Sequence, residues 1–166
     1  MTYLNPVFHY GYEAFFERCQ DVGIDDIIIP DLPFEEKEEV DVVAGNYGID
    51  LISMIAPTSK ERIRKIAKGV KGFLYVVSSM GVTGERTNIT TDIDGMLKEI
   101  RSVSNVPAAV GFGIHTPDQA AEISRTAEGV IVGSAVIKRI AKYGAHAGGP
   151  LYTYARRMKE EVSPSQ

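Results

Sequence analysis

Residues 106–135 read VPAAVGFGIHTPDQAAEISRTAEGVIVGSA, and this stretch decides the fold. Two short apolar runs, residues 106–110 (VPAAV) and 129–132 (GVIV), flank a segment of helical period. Continuous apolar runs of this length fit strands buried on both faces, as in parallel sheets. Thr116 precedes Pro117, and Gln119 follows three residues after Thr116. That spacing supplies an N-cap, a proline at the first helical position and a capping-box partner. Each run ends on glycine: Gly111-Phe112-Gly113 after the first, Gly133-Ser134 after the second. Glycines let backbone N–H groups approach an anion without interference from a Cβ. A helix N-terminus adds partial positive charge and unpaired donors. Loops after the last two strands, with a helix start, form the recurrent phosphate site of (β/α)8 barrels. Ordinary tight turns explain any one of these loops taken alone.

The same unit recurs outward from this stretch. Further apolar runs lie at residues 26–30 (DIIIP), 51–56 (LISMIA) and 72–77 (GFLYVV), with a possible strand remnant at residues 1–3. Gly81-Val82-Thr83-Gly84 follows the third run and adds another glycine loop to the same rim. Helical period fills the gaps. Tyr12, Phe15, Phe16, Cys19 and Val22 share one face, and Thr58 with Glu61 suggests a capping box before Ile63, Ile66 and Ala67. Residues 134–142 place Val136, Ile137, Ile140 and Ala141 on one side. Gly148-Gly149-Pro150 reads as a turn before a last helix over residues 151–162. Strand–helix alternation implies parallel strands with helical crossovers. Five or six strands suit an open doubly wound sheet by count, since a whole barrel needs eight strands and typically about 250 residues. The glycine loops shift the balance to the barrel. The expectation is one partial barrel over residues 1–162 with a disordered tail at 163–166.

Composition narrows the function classes. The chain has 166 residues, 44% apolar and 24% charged, with a formal net charge of −4. These are globular values. A mildly acidic chain carries no electrostatic footprint for nucleic acid or anionic lipid. No window approaches the run of apolar residues that spans a bilayer, and no secretory signal is visible at the start. The one cysteine, Cys19, cannot form an internal disulfide, so a reduced cytoplasmic setting is the default. Gly111-Phe112-Gly113-Ile114-His115-Thr116 lacks the third glycine of a dinucleotide fingerprint, and no glycine is followed by Lys and then Ser or Thr.

Side-chain chemistry is sparse. Asp31, at the end of the run 26–30, is a candidate acid or base. It could equally cap the next helix or brace a neighbouring loop. Glu35, Glu36, Glu38, Glu39 and Asp41 read as a solvated helix face. His9, His115 and His146 have no second ligand at metal-binding spacing. Ser78, Ser79 and Ser134 have no base nearby and no Gly-x-Ser-x-Gly elbow. No metal or cofactor is expected.

Met1-Thr2-Tyr3-Leu4-Asn5-Pro6, Ile29-Pro30-Asp31-Leu32-Pro33, Gly81-Val82-Thr83-Gly84, Gly111-Phe112-Gly113-Ile114 and Gly133-Ser134-Ala135 occur in the order found in the tryptophan synthase alpha subunit, which the chain resembles over nearly its whole length. The resemblance implies a (β/α)8 TIM barrel of which this chain supplies roughly strands 3 to 8. It implies aldol cleavage of indole-3-glycerol phosphate to indole and glyceraldehyde 3-phosphate, with indole passing to a beta subunit that carries pyridoxal phosphate. By resemblance Gly84, Gly113, Gly133 and Ser134 bind the phosphate, and Thr83 belongs to a loop that closes over substrate. Tyr75, at its strand's end, matches an aromatic near the catalytic centre. Gly111, Phe112 and Ile28 match the indole pocket. Asn5, Pro6 and Pro33 match loops facing the beta subunit, and Asp31 a supporting aspartate. The family's catalytic glutamate and aspartate lie upstream of Met1, and the motif Pro-Phe-Ser-Asp-Pro-x-x-Asp-Gly-Pro does not occur here. Two other readings remain: a partial barrel that binds a phosphorylated ligand without turnover, and another sugar-phosphate barrel enzyme such as an epimerase or isomerase. Uncovered strand edges lead us to expect dimerisation or aggregation of the isolated chain.

Overall fold

The structure is a computed structural model that describes residues 1–78, 92–111 and 113–162. Its elements run α1 (Leu4–Tyr10), α2 (Tyr12–Asp21), β1 (Asp26–Ile27), a 3-10 turn (Phe34–Glu36), α3 (Lys37–Asn46), β2 (Asp50–Leu51) and β3 (Ser53–Ile55). They continue with α4 (Lys60–Ala67), β4 (Leu74–Val77), α5 (Ile93–Arg101), β5 (Ala108–Gly111), α6 (Pro117–Ser124), β6 (Gly129–Val130), α7 (Ser134–Tyr143) and α8 (Gly148–Val162). The tail at 163–166 lies outside the described residues.

All strand pairs are parallel, and each lane pairs with the lane nearest in sequence. β1 pairs with β2, and β3, β4, β5 and β6 follow in order. The register sets Ile27 beside Leu51, Tyr75 beside Met54 and Ala109, and Val110 beside Val130. β2 and β3 are one run divided at Ile52, whose N–H still donates to Ile27 O at 2.9 Å. The run serves β1 on one side and β4 on the other. Residues 1–3 form no strand, but Thr2 N donates to Ile28 O at 3.0 Å, so they lie beside the end of β1.

The two faces of this sheet differ. Leu74, Val76, Ala108 and Val110 point into a core with Ile63 and Ile66 of α4, Leu97 and Ile100 of α5, Ile123 of α6 and Met158 of α8. Val7, Phe16, Cys19, Val40 and Ala44 of the first three helices close over Ile27 and Leu51. The opposite face holds Ile52, Tyr75 and Val77, with Ile28, Met54, Ala56, Phe73 and Ile131 against them, and no helical residue enters that cluster. A doubly wound sheet carries helices on both faces and reverses strand order at a switch point. Helices on one face with sequential parallel lanes are the arrangement of a barrel wall. The barrel expectation therefore stands over the open sheet.

Several local expectations change. Residues 4–10 form a helix where a loop was expected at Asn5 and Pro6. Pro6 falls in its first turn, where a missing N–H costs nothing. The cap of α4 is Ser59, not Thr58: Ser59 Oγ accepts from Arg62 N at 3.3 Å. Gly148, Gly149 and Pro150 belong to α8 itself, again because a first turn tolerates proline. The turn before α8 is the 3-10 segment Gly144–His146. On α7 Ala135 is buried and Val136 packs half-buried against the core, whereas Ile137 is 63% exposed, so the expected apolar side is packed only at its start.

Candidate functional site

The rim at the carboxyl ends of β5 and β6 is built from two helix starts that follow neighbouring strands. After β5 the chain turns at Gly113, whose φ of +80° favours glycine. His115 folds back with Nδ1 2.9 Å from Gly113 O, and its N–H donates to Gln119 Oε1 at 3.0 Å. Thr116 Oγ1 accepts from Gln119 N at 3.2 Å, and the Gln119 side chain accepts from Thr116 N. The expected capping box is thus formed, and α6 uses its own side chains to satisfy its first turn.

The next lane ends differently. Ile131 N donates to Val110 O at 2.8 Å, and the chain reaches Gly133, the N-cap of α7. No side chain caps this helix, and no acidic residue sits in its first turn. Gly133 O accepts from Val136 N at 2.9 Å and from Ile137 N at 3.2 Å, closing the first turn behind it. Among the described residues nothing lies within 4 Å of where a Cβ on Gly133 would stand. The leading N–H groups of α7, at Ser134 and Ala135, carry the positive end of the helix, and its first turn holds no carboxylate to offset it. Gly113 and Gly133 each follow the carboxyl end of adjacent lanes, so both glycines fall on one rim.

Tyr75 lies within β4, on the inner face, rather than at the strand's end. Burial pushes its phenol above the ordinary value, so it stays neutral. Gly111 is the last residue of β5 rather than part of the loop. A Cβ on Gly111 would stand 2.3 Å from Tyr75 Oη, so the Tyr75 ring lies directly over it. Ile28 is half-buried in the same inner cluster. Thr83, Gly84 and Phe112 lie outside the described residues.

Asp31 is exposed, and its Oδ1 accepts from Leu4 N at 2.9 Å. It braces the start of α1. Asn5 and Pro6 are exposed on α1 rather than in a loop, and Pro33 precedes the 3-10 turn. Tyr3, Phe8 and Tyr10 are exposed beside them.

Sequence reasoning missed Met54, Val77 and Ile131. Period two along the strands carries the signal: with Tyr75 inward, Val77 follows, and so does Met54, the lateral partner of Tyr75. Lys37 was also missed, hidden inside the acidic block. Its Nζ donates to buried Ser53 Oγ at 2.9 Å, and burial pushes the amine below its ordinary value. Cys19 is buried, with its thiol pushed up by burial. Among the described residues no three His, Cys, Asp or Glu side chains group as a metal site, and no helix is long and apolar enough to cross a membrane.

In chemical terms the rim can hold an anion at α7, and the inner face can hold a flat apolar group.

The family described as tryptophan synthase alpha chain matches residues 1–163. The tryptophan synthase alpha chain of Lacticaseibacillus casei is 47% identical over 162 residues, covering 98% of this chain and 61% of the relative. That of Lactiplantibacillus plantarum is 48% identical over 163 residues, with the same coverage of 98% and 61%. Among solved structures, the tryptophan synthase of Mycobacterium tuberculosis in space group F222 aligns with a TM-score of 0.86 at 32% identity, covering 99% of this chain and 62% of that one. The tryptophan synthase α2β2 complex of Pyrococcus furiosus aligns with a TM-score of 0.86 at 31% identity, covering 96% and 65%. The chain spans about three fifths of the length of the two curated relatives. With its sheet order, its one-sided helical layer and these matches together, the chain belongs to the tryptophan synthase alpha chain family.

Proposed function

We propose that this chain supplies the phosphate anchor and the indole pocket of a lyase that cleaves indole-3-glycerol phosphate. The observation that carries this reading is the uncapped, acid-free start of α7 at Gly133 and Ser134, one lane from Gly113. The N–H groups there hold the phosphate dianion, aided by Gly84 and by Thr83 of a closing loop. Tyr75, Ile28, Phe112 and the flat floor at Gly111 bound the indole ring. Anchoring both ends fixes the bond to be broken and lowers the entropic part of the barrier.

In the aldol cleavage the bond between indole C3 and the glycerol chain breaks. C3 takes a proton, and the adjacent hydroxyl loses one as it becomes the aldehyde of glyceraldehyde 3-phosphate. The family's acid and base do not belong to the motifs of this chain, so its part is binding and orientation. Asn5, Pro6 and Pro33, beside exposed Tyr3, Phe8 and Tyr10, make the face for a beta subunit. Residues 1–162 act as one partial barrel in the cytoplasm, without a cofactor of their own.

The test is glycerol 3-phosphate binding and indole release by the purified chain, with and without a beta subunit. Saturable binding without release by the chain alone is expected. Absence of phosphate-ligand binding overturns the reading. Indole release by the chain alone would put acid–base work on its own residues, Asp31 first. The binding-only alternative draws its support from the motif Pro-Phe-Ser-Asp-Pro-x-x-Asp-Gly-Pro, which this sequence does not contain.

A further inference from the structure

α7 and α8 enclose a groove of about 640 Å3 outside the barrel wall. Lys138, Arg139 and Lys142 of α7 and Arg157 of α8 line it, with Tyr143 and Tyr154. No carboxylate is among the described lining residues, although the whole chain is net −4. On α8, Glu160 is engaged by Arg156 at 2.7 Å. Among the described residues no carboxylate pairs with Arg139, Lys142 or Arg157.

The groove is also braced. The Arg139 guanidinium stacks 3.4 Å from the centroid of the Tyr154 ring and donates to Ala135 O at 2.8 Å. The Tyr154 hydroxyl donates to His115 O at 2.9 Å, which ties this ring to the turn before α6. A guanidinium held by a stacked ring and a carbonyl loses little freedom when it binds an anion. Arg139, Lys142 and Arg157, gathered with no pairing carboxylate among the described residues, concentrate a complementary anion. A volume of this size is that of a small-molecule site.

We infer that the groove between α7 and α8 is a binding site for a small molecule carrying two or more phosphates, separate from the rim at Gly133. Cations facing each other from two helices favour a ligand with charge at both ends over a single phosphate.

The experiment is calorimetric titration of the full chain with inorganic tripolyphosphate at low ionic strength. One saturable site is expected, weakening as salt rises. Arg157→Glu and Lys142→Glu should each weaken it at least tenfold. Lys98→Glu, an equal charge change on exposed α5, should leave it unchanged, and thermal melts confirm that all three variants fold. Saturating glycerol 3-phosphate, which reports the rim, should not displace the probe. Parental affinity in either groove variant, an equal loss in Lys98→Glu, displacement by glycerol 3-phosphate, or no saturation overturns the inference. Failure of glycerol 3-phosphate binding alone bears on the rim and not on the groove.

Discussion

α6 and α7 begin one lane apart on the same rim and solve the same problem in opposite ways. Each helix start leaves N–H groups without intrahelical partners. At α6 the chain fills them: Thr116 and Gln119 form a reciprocal box, Pro117 removes a donor, and Asp118 offsets the dipole. At α7 the cap is Gly133, which has no side chain, and the first turn has no acid. α3 shows a further solution. It too lacks a capping side chain, but Glu38 and Glu39 in its first turn repel an anion. The lesson is that an unfinished helix end, set beside a finished one, is the place to test for a ligand.

The comparison breaks most visibly at Gly133. Gly133→Asp places a carboxylate where the phosphate would sit, and the site has room for it. Glycerol 3-phosphate affinity should fall roughly 100-fold, the loss of charge-assisted hydrogen bonds worth about 2.7 kcal/mol. The same change should raise helix stability by about 0.3–1 kcal/mol through the dipole. Calorimetry and a thermal melt on one variant read both signs, and loss of stability with retained binding would reverse the assignment.

Gly111→Ala tests the inner floor rather than the helix end. Its Cβ would meet the Tyr75 ring at 2.3–2.8 Å, so the ring or the strand must shift. Overpacking of this kind costs about 1–3 kcal/mol. A double-mutant cycle with Tyr75→Ala should return a favourable coupling in denaturant melts. At the finished end, Thr116→Ala should cost about 1 kcal/mol of stability and leave phosphate-ligand affinity unchanged. Reduced affinity there would show that both helix starts serve the ligand.

The smallest effect concerns the acidic approach to α3. Arg62 donates to both Glu35 oxygens, at 2.7 and 3.2 Å, and holds the Glu35 carboxyl at about 2. A folded value below the ordinary 4.5 means that the pair stabilises the fold above that pH and loses its effect as pH falls toward 2. Both side chains face solvent, so the contribution is small. Acid unfolding of Arg62→Gln should lie slightly below the parent curve above pH 4.5 and merge with it near pH 2.

The features legible in the sequence were those set by local chemistry. The box at Thr116 and Gln119 and the apolar runs at residues 26–30, 51–56, 72–77, 106–110 and 129–132 all marked real elements. Features decided by partners at a distance were not legible. The run at 51–56 divides at Ile52 because it serves two lanes, and no local signal says so. Gly111 looked like a loop glycine; it ends a strand because Tyr75, thirty-six residues earlier, occupies the space of its side chain. α1 was missed because Asn5 and Pro6 suggest a turn, while Asp31 from another segment holds the helix start. Lys37 reads as one charge in an acidic block until Ser53 is brought beneath it.

The strand order has a consequence for how the molecule comes into being. Each lane pairs only with the lane made just before it and the lane made just after it. The structure is therefore close to a one-dimensional stack, in which stability is gained unit by unit as in a repeat protein. A chain leaving the ribosome meets its partners in the order in which they are synthesised. Each strand after the first finds a template already waiting, and α8 closes the core last through Tyr154 and Met158.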